Sequence, residues 1–188
     1  MFAIYGVSGA GKTTLLKILE EINLNISVHI KDATRKADKS EIDAKQRADL
    51  NFINNDSFDR KHKDGVYEVV YMRYGNRYGI VKKQIDNAFS AKKIHCIIVR
   101  DIIALKTLKS SFANMKTIYF HVDPNNIPER LSVRDRYDKK ERAERIQGEF
   151  KEFIENSVFF DHIIVNFWEI SNAVRQFQNI IDYYNKSQ

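Results

Sequence analysis

The sequence predicts an α/β fold in which helices cover both faces of a central parallel sheet, giving three layers. Two features of the chain predict this arrangement. Apolar runs with the length of buried strands alternate with stretches of helical spacing, and a glycine-rich loop separates the first such strand from the first helix. Strands that alternate with helices form right-handed βαβ units, and these units build a parallel sheet.

The predicted strands are short apolar runs, and stretches with helical periodicity separate them. Strands are expected at residues 1–5, 94–99, 117–122 and 162–165, with a weaker, alternating candidate at 26–30. Helices are expected from residue 14 onward and over 81–92, 101–112, 138–153 and 171–184. A parallel sheet of this kind binds ligands beyond the carboxyl ends of its strands, so the site is expected at that edge.

The glycine-rich loop reads Gly-Val-Ser-Gly-Ala-Gly-Lys-Thr over residues 6–13 and matches the phosphate-loop pattern G-x-x-x-x-G-K-[ST]. Its glycines let the backbone wrap around an anion, and successive N–H groups and the helix dipole point at the β-phosphate. We expect Lys12 to reach the β- and γ-phosphates and the Thr13 hydroxyl to hold Mg²⁺. The predicted ATP-binding residues are Gly6, Ser8, Gly9, Ala10, Gly11, Lys12, Thr13 and Thr14.

One domain accommodates all 188 residues. Its core is expected at about 1–31, 81–130 and 155–188. Residues 32–80 are polar and contain an alternating strand near 66–72, so we expect a subdomain that carries the second substrate. Residues 131–154 indicate a helix, a break and a second helix with many arginines. Such a lid can close over a transferring phosphoryl group, although a surface helix pair joined by Arg–Glu contacts is the alternative.

The composition narrows the classes of function. No apolar run reaches the roughly 18–20 residues of a membrane span, and no basic segment precedes the first apolar run as in a signal peptide. The lone Cys96 lies in an apolar run, which excludes an internal disulfide and favours a cytoplasmic protein. The net charge is +6. Its basic residues concentrate at 31–47 and 130–145, which suits two polyphosphate ligands better than nucleic acid.

Several motifs in the chain together resemble the guanylate kinase family. The phosphate loop is close to that of the family, residues 33–36 (Ala-Thr-Arg-Lys) resemble its T-T-R-x motif, and residues 75–79 (Gly-Asn-Arg-Tyr-Gly) resemble its G-N-x-Y-G motif. Residues 160–166 resemble its Y-D-x-V-I-V-N strand. The order and spacing of these motifs cover nearly the whole chain. The resemblance implies a P-loop kinase three-layer fold with a central parallel sheet, a small acceptor-binding subdomain and a helical lid.

The resemblance also implies roles for individual residues. Arg35 and Tyr78 are expected to bind the phosphate of the acceptor, although Tyr78 suits a core position as well. Lys12 is expected to stabilise charge on the transferred group, with Arg134 and Arg145 as the arginines of the lid. Asp101 is expected to support Mg²⁺ or hold the acceptor, with capping of a helix as the alternative role.

The chain departs from the family pattern where the guanine base is read. Ile80 stands where the family has serine or threonine, and Val69 stands where it has a carboxylate, with Glu68 adjacent as the candidate acceptor ligand. Leu50 replaces a tyrosine, Asp38 replaces an arginine, and Val99 replaces one of two aspartates. A site built to hydrogen-bond a base discriminates through such polar groups, so these changes concern the acceptor and leave the donor side intact.

We therefore predict ATP-dependent phosphoryl transfer to a small phosphorylated acceptor, with Mg²⁺ as cofactor and GMP or dGMP as the leading acceptor. The alternatives are a kinase resembling ribose 1,5-bisphosphate phosphokinase, another nucleotide kinase, and a catalytically inactive binding module of the guanylate kinase type. Aromatic side chains between residues 150 and 168 are expected in the core or at an edge used for self-association, which leaves a homodimer open.

Overall fold

A computed structural model describes residues 1–22, 25–37, 49–90, 93–132, 139–167 and 169–186. In chain order its elements are β1 (Phe2–Tyr5), α1 (Lys12–Glu21), β2 (Ile26–Val28), β3 (Lys31–Ala33), β4 (Leu50–Phe52), α2 (Asn55–Lys63), β5 (Tyr67–Arg73), β6 (Asn76–Val81), α3 (Lys82–Ser90), β7 (Ile94–Ile98), α4 (Ile102–Ser111), β8 (Lys116–His121), α5 (Ile127–Ser132), α6 (Lys139–Asn156), β9 (His162–Val165) and α7 (Ile170–Lys186). Short 3₁₀ turns lie at Pro124–Asn126 and Ser157–Phe159.

The main sheet has five strands in the order β2-β7-β1-β8-β9, and every pairing is parallel. The predicted α/β class and parallel sheet are therefore confirmed. β1 lies in the centre, so the loop that follows it opens at the middle of the carboxyl edge. The predicted strand at 26–30 is shorter than expected, ending at Val28, and the first helix begins at Lys12 instead of Thr14.

Both faces of the main sheet are buried, which explains the unbroken apolar runs of its strands. Phe2 and Ile4 of β1 face a cluster with Leu15, Leu19 and Phe177 of the flanking helices. The alternate residues of β1 face a second cluster that also contains residues of the smaller sheet. Its buried members are Ala3, Tyr5, Ala33, Leu50, Val69, Tyr71, Tyr78, Ile80, Ile85, Ile97, Val99, Ile102, Ala104, Leu105, Leu108, Met115 and Tyr119.

The smaller sheet has four strands in the order β4-β3-β6-β5. We call it the acceptor sheet, because it falls in the segment predicted to bind the acceptor. β3 and β4 are parallel, whereas β5 and β6 form an antiparallel hairpin. Tyr74 and Gly75 make the two-residue turn of this hairpin, and both have positive φ, at 50° and 71°. That conformation matches the twist of the paired strands.

Side-chain caps fix the starts of two helices beside the site. Asn54 accepts a hydrogen bond from the Ser57 amide at the start of α2, at 2.8 Å. Asp101 accepts one from the Ala104 amide at the start of α4, at 2.8 Å. Cys96 is fully buried in β7, as predicted. Among the described residues, no helix is both long and apolar enough to span a membrane.

Candidate active site

The phosphate loop joins the carboxyl end of β1 to the first turn of α1. Gly6, Gly9 and Gly11 have φ values of 155°, 82° and 103°, a region that side chains rarely adopt. A Cβ on Gly6 would also lie 2.5 Å from the Phe120 carbonyl oxygen of β8. Both backbone conformation and close packing therefore require glycine at this position.

Lys12 lies over the loop that it belongs to. Its ammonium group donates to the Gly6 carbonyl at 2.5 Å and to the Val7 carbonyl at 2.7 Å, and the side chain is 4% exposed. The loop is braced from β9, where the buried Asn166 amide donates to the Ala10 carbonyl at 2.9 Å. The loop and its lysine are thus held in place before any nucleotide arrives.

A carboxylate of α6 accepts a hydrogen bond from one backbone amide of the phosphate loop. The Ser8 amide donates to Glu149 Oε2 at 2.6 Å, and Glu149 is 6% exposed. The other oxygen of Glu149 accepts from the Tyr74 hydroxyl at 3.0 Å. This one side chain therefore connects the phosphate loop, the second helix of the segment predicted as the lid, and the hairpin turn of the acceptor sheet.

A second carboxylate of α6 makes further contacts where this helix meets β1 and the acceptor sheet; we call this region the junction. Glu152 Oε2 accepts from Arg73 at 2.9 Å and from the Tyr5 hydroxyl. Burial and the neighbouring Glu152 carboxylate raise the pKa of Tyr5 above its usual value, so Tyr5 stays protonated and donates. The junction joins α6 to the end of β1 and to the acceptor sheet.

Two of the predicted acceptor ligands, Arg35 and Tyr78, lie next to or in the acceptor sheet. Arg35 is 7% exposed, stacks over the Phe52 ring at 4.7 Å, and donates to the Lys36 carbonyl at 2.9 Å. Tyr78 is 4% exposed and stacks on Tyr71, with ring centroids 5.1 Å apart. Tyr78 is thus a core residue in this structure, which is the second of the two positions expected for it.

The remaining predicted ligands have separate positions. Glu68 is half-buried and marks an irregularity in the hairpin, where Tyr67 and Val69 pair with the consecutive residues Val81 and Ile80. Arg134 lies outside the described residues. Arg145 belongs to α6, and its side chain lies outside the described part. Thr14 is exposed in the first turn of α1.

Two of the positions that depart from the family pattern form an apolar wall in the acceptor sheet, whereas Asp38 lies outside the described residues. Val69 and Ile80 are paired across β5 and β6, and both are buried. The Tyr67 ring packs closely on Gly79, where a Cβ would be 2.5 Å from a ring carbon. The Tyr67 hydroxyl donates to the buried Asp32 at 2.8 Å.

Charged side chains are buried where the two sheets meet. Lys31 is 1% exposed, and its ammonium group donates to the Ile98 carbonyl at the end of β7 and to Asp49 Oδ2 at 3.4 Å. Burial would lower the pKa of Arg100, but Asp49, Tyr78 and Glu149 raise it above its usual value, so Arg100 stays charged among them. The centre of the site therefore holds two cations, Lys31 and Arg100, beside the carboxylates of Asp49 and Glu149.

The sequence analysis did not predict the charged side chains that meet between the two sheets. Lys31, Asp49, Arg100 and Glu149 belong to no contiguous motif, and their elements lie far apart in the chain. One signal was available: Arg100 directly follows Val99, one of the positions that depart from the family pattern.

A parallel sheet whose central strand runs into a glycine loop with a buried lysine defines a P-loop phosphotransferase. The guanylate kinase family model matches residues 1–184. Guanylate kinase of Chlamydia muridarum is 30% identical over 168 residues, covering 88% of this chain and 79% of that protein. The chain therefore belongs to the guanylate kinase family, and the predicted resemblance is confirmed.

Other comparisons agree. Guanylate kinase of Fusobacterium nucleatum is 26% identical over 184 residues, covering 97% of this chain and 95% of that protein. A crystal structure of guanylate kinase from Anaplasma phagocytophilum has a TM-score of 0.70 and 19% identity, covering 98% of this chain and 85% of that one. Shikimate kinase from Bacteroides thetaiotaomicron shares the fold more distantly, with a TM-score of 0.56 at 15% identity over 96% of this chain and 97% of that one.

Proposed function

We propose that this protein transfers the γ-phosphoryl group of ATP to GMP or dGMP. The observation that carries the proposal is the complete phosphate loop, with Lys12 buried against it, in a chain of the guanylate kinase family. Relatives named guanylate kinase match 88–97% of the chain. A ribose bisphosphate kinase and an inactive binding module are not favoured by these comparisons.

The donor side binds and orients the triphosphate through its backbone. Amides of the loop and the start of α1 face the phosphates, and Lys12 exchanges its two loop carbonyls for phosphate oxygens. The charge of Lys12 then lies beside the oxygens on which negative charge develops during transfer. Phosphoryl transfer is catalysed mainly by such positioning and charge stabilisation.

The donor set also fits Mg²⁺. Thr13 offers a hydroxyl in the first turn of α1, and this ion takes one or two protein oxygens with phosphate and water as its other ligands. When bound, Mg²⁺ neutralises charge shared by the β- and γ-phosphates. Among the described residues, no group of three or more His, Cys, Asp or Glu side chains is placed to hold a metal ion, which is compatible with such a sparse site.

The acceptor side supplies cations for a second phosphate. Arg35 follows β3 of the acceptor sheet, and the cations of Lys31 and Arg100 lie beside Asp49. We assign the phosphate of the acceptor to Arg35 and leave Arg134 and Arg145 as the proposed arginines of the lid. Val69 and Ile80 are buried, so those two side chains offer the base no hydrogen bond.

The test is release of ADP, measured by a coupled assay, with GMP, dGMP, AMP and ribose 1,5-bisphosphate as acceptors. Turnover is expected with GMP or dGMP. Turnover with AMP or ribose 1,5-bisphosphate but with neither GMP nor dGMP would contradict the proposed acceptor. The proposed ATP-binding site would remain supported. Binding of ATP without turnover of any acceptor would contradict the proposed enzymatic activity and would favour a catalytically inactive binding module.

A further inference from the structure

We propose that Asp49, from the acceptor sheet, supplies the carboxylate that holds Mg²⁺ together with Thr13. The Thr13 hydroxyl donates to Asp49 Oδ1, with the two oxygens 3.4 Å apart. Asp49 is fully buried and directly precedes β4. The proposal rests on the proposed function, because it concerns the ion that accompanies ATP.

The separation of the two oxygens suits a shared ion. Mg²⁺ demands octahedral geometry with ligands at about 2.0–2.1 Å, so two adjacent ligand oxygens lie about 3 Å apart. The observed 3.4 Å is long for a hydrogen bond between oxygens and close to that ligand separation. A shift of a few tenths of an ångström would convert one arrangement into the other.

The backbone fixes Asp49 at this place. The Lys31 amide donates to the Asp49 carbonyl at 3.1 Å, which extends the pairing of β3 with β4 by one step. The Lys31 ammonium group holds the other carboxylate oxygen at 3.4 Å. A buried carboxylate is costly unless cations compensate it, and Lys31 and Arg100 do so here.

Asp101, which the sequence analysis offers for Mg²⁺ as well, follows the strand beside the loop. After β7 the chain continues with Val99, which is fully buried, then Arg100 and Asp101. One oxygen of Asp101 caps α4 through the Ala104 amide. Asp49 approaches the loop from the opposite sheet, so the ion would connect the donor loop to the acceptor sheet.

The test measures metal binding apart from turnover. Full-length protein is titrated with ATP in the presence and absence of Mg²⁺, and Mn²⁺ bound in the nucleotide complex is followed by electron paramagnetic resonance. For Asp49→Asn we expect ATP affinity without metal to stay within about twofold and Mn²⁺ affinity to fall about 10- to 100-fold. Asp182→Asn, on the exposed face of α7, is the matched control and should behave as the wild type.

Three outcomes separate the possibilities. Mn²⁺ affinity of Asp49→Asn within about twofold of the wild type would overturn the proposal, as would a loss confined to Asp101→Asn. If Asp49→Asn shows no melting transition, Asp49→Glu decides, because it keeps the carboxylate and should retain metal-strengthened ATP binding. A wild type that binds Mg·ATP and phosphorylates GMP while Asp49 proves dispensable leaves the proposed function standing, whereas a wild type that does neither contradicts both.

Discussion

The phosphate loop and the acceptor sheet are built in different ways. The loop lies within eight consecutive residues and presents backbone amides, with one lysine folded onto its own carbonyls. The acceptor sheet depends on side chains such as Lys31 and Asp49, which meet only when β3 pairs with β4. A site made of contiguous backbone tolerates change around it, whereas a site made of dispersed side chains can be altered one residue at a time.

Removal of the loop lysine would test the donor half most severely. Lys12→Ala should lower kcat about 100- to 1,000-fold, since the ammonium group stabilises charge that develops in the transition state. The melting temperature should change little by comparison. Steady-state assays and thermal melts check this, with Lys17→Ala in the same helix as the control. Retention of most activity would show that the loop does not act as the donor site.

A substitution in the acceptor half should change the KM for the acceptor. Arg35→Ala is expected to raise the KM for GMP about 10- to 100-fold, because a charge-assisted hydrogen bond to phosphate is lost. The KM for ATP should stay within about twofold, since the loop is separate from Arg35. Steady-state assays that vary each substrate measure both values. An equal rise in both would mean that the two halves are not separable as described.

A pair of buried histidines at the edge of the main sheet, to which no role in phosphate binding is assigned, tests whether that edge affects stability without affecting activity. His29 and His95 are joined at 3.0 Å, and burial, with His95 next to it, lowers the pKa of His29 to about 4. The unfolded chain has a histidine pKa of about 6.5, so it takes up the proton first as the pH falls. Stability should therefore be complete above pH 6.5 and decline towards pH 4.

The measurement is urea unfolding at pH 7 and pH 5. The wild type should lose about 1–2 kcal/mol more than His29→Gln between these values. His62→Gln, at an exposed position of α2, is the control and should keep the wild-type dependence. A His29→Gln variant with unchanged pH dependence would assign the effect to other groups.

The hydrogen bond between the Ser8 amide and Glu149 directly joins the two halves. Of the changes described, its removal is expected to have the smallest effect. A triphosphate and a carboxylate are both anions, so they compete for the same amide. Glu149→Gln makes the competitor neutral and should strengthen ATP binding about three- to tenfold. Calorimetry checks this, with Glu155→Gln on the exposed face of α6 as the control. Weaker ATP binding by Glu149→Gln would show that the carboxylate supports the loop.

The sequence by itself determined the α/β class, the phosphate loop and the strands of the main sheet. Each of these depends on neighbours in the chain: apolar runs buried on both faces, and glycines that permit φ values of 82° and 103°. It also located Asp101 before a helix, where the carboxylate caps α4.

Tertiary structure decided the acceptor side. Only the pairing of β3 with β4 brings Asp49 to Thr13 and Lys31, and only the packing of α6 brings Glu149 to Ser8 across 141 positions of the chain. Such contacts depend on the free energy of whole elements docking, which no local pattern of residues records. The donor site could therefore be predicted from eight consecutive residues, whereas the acceptor site could be recognised only in the folded chain.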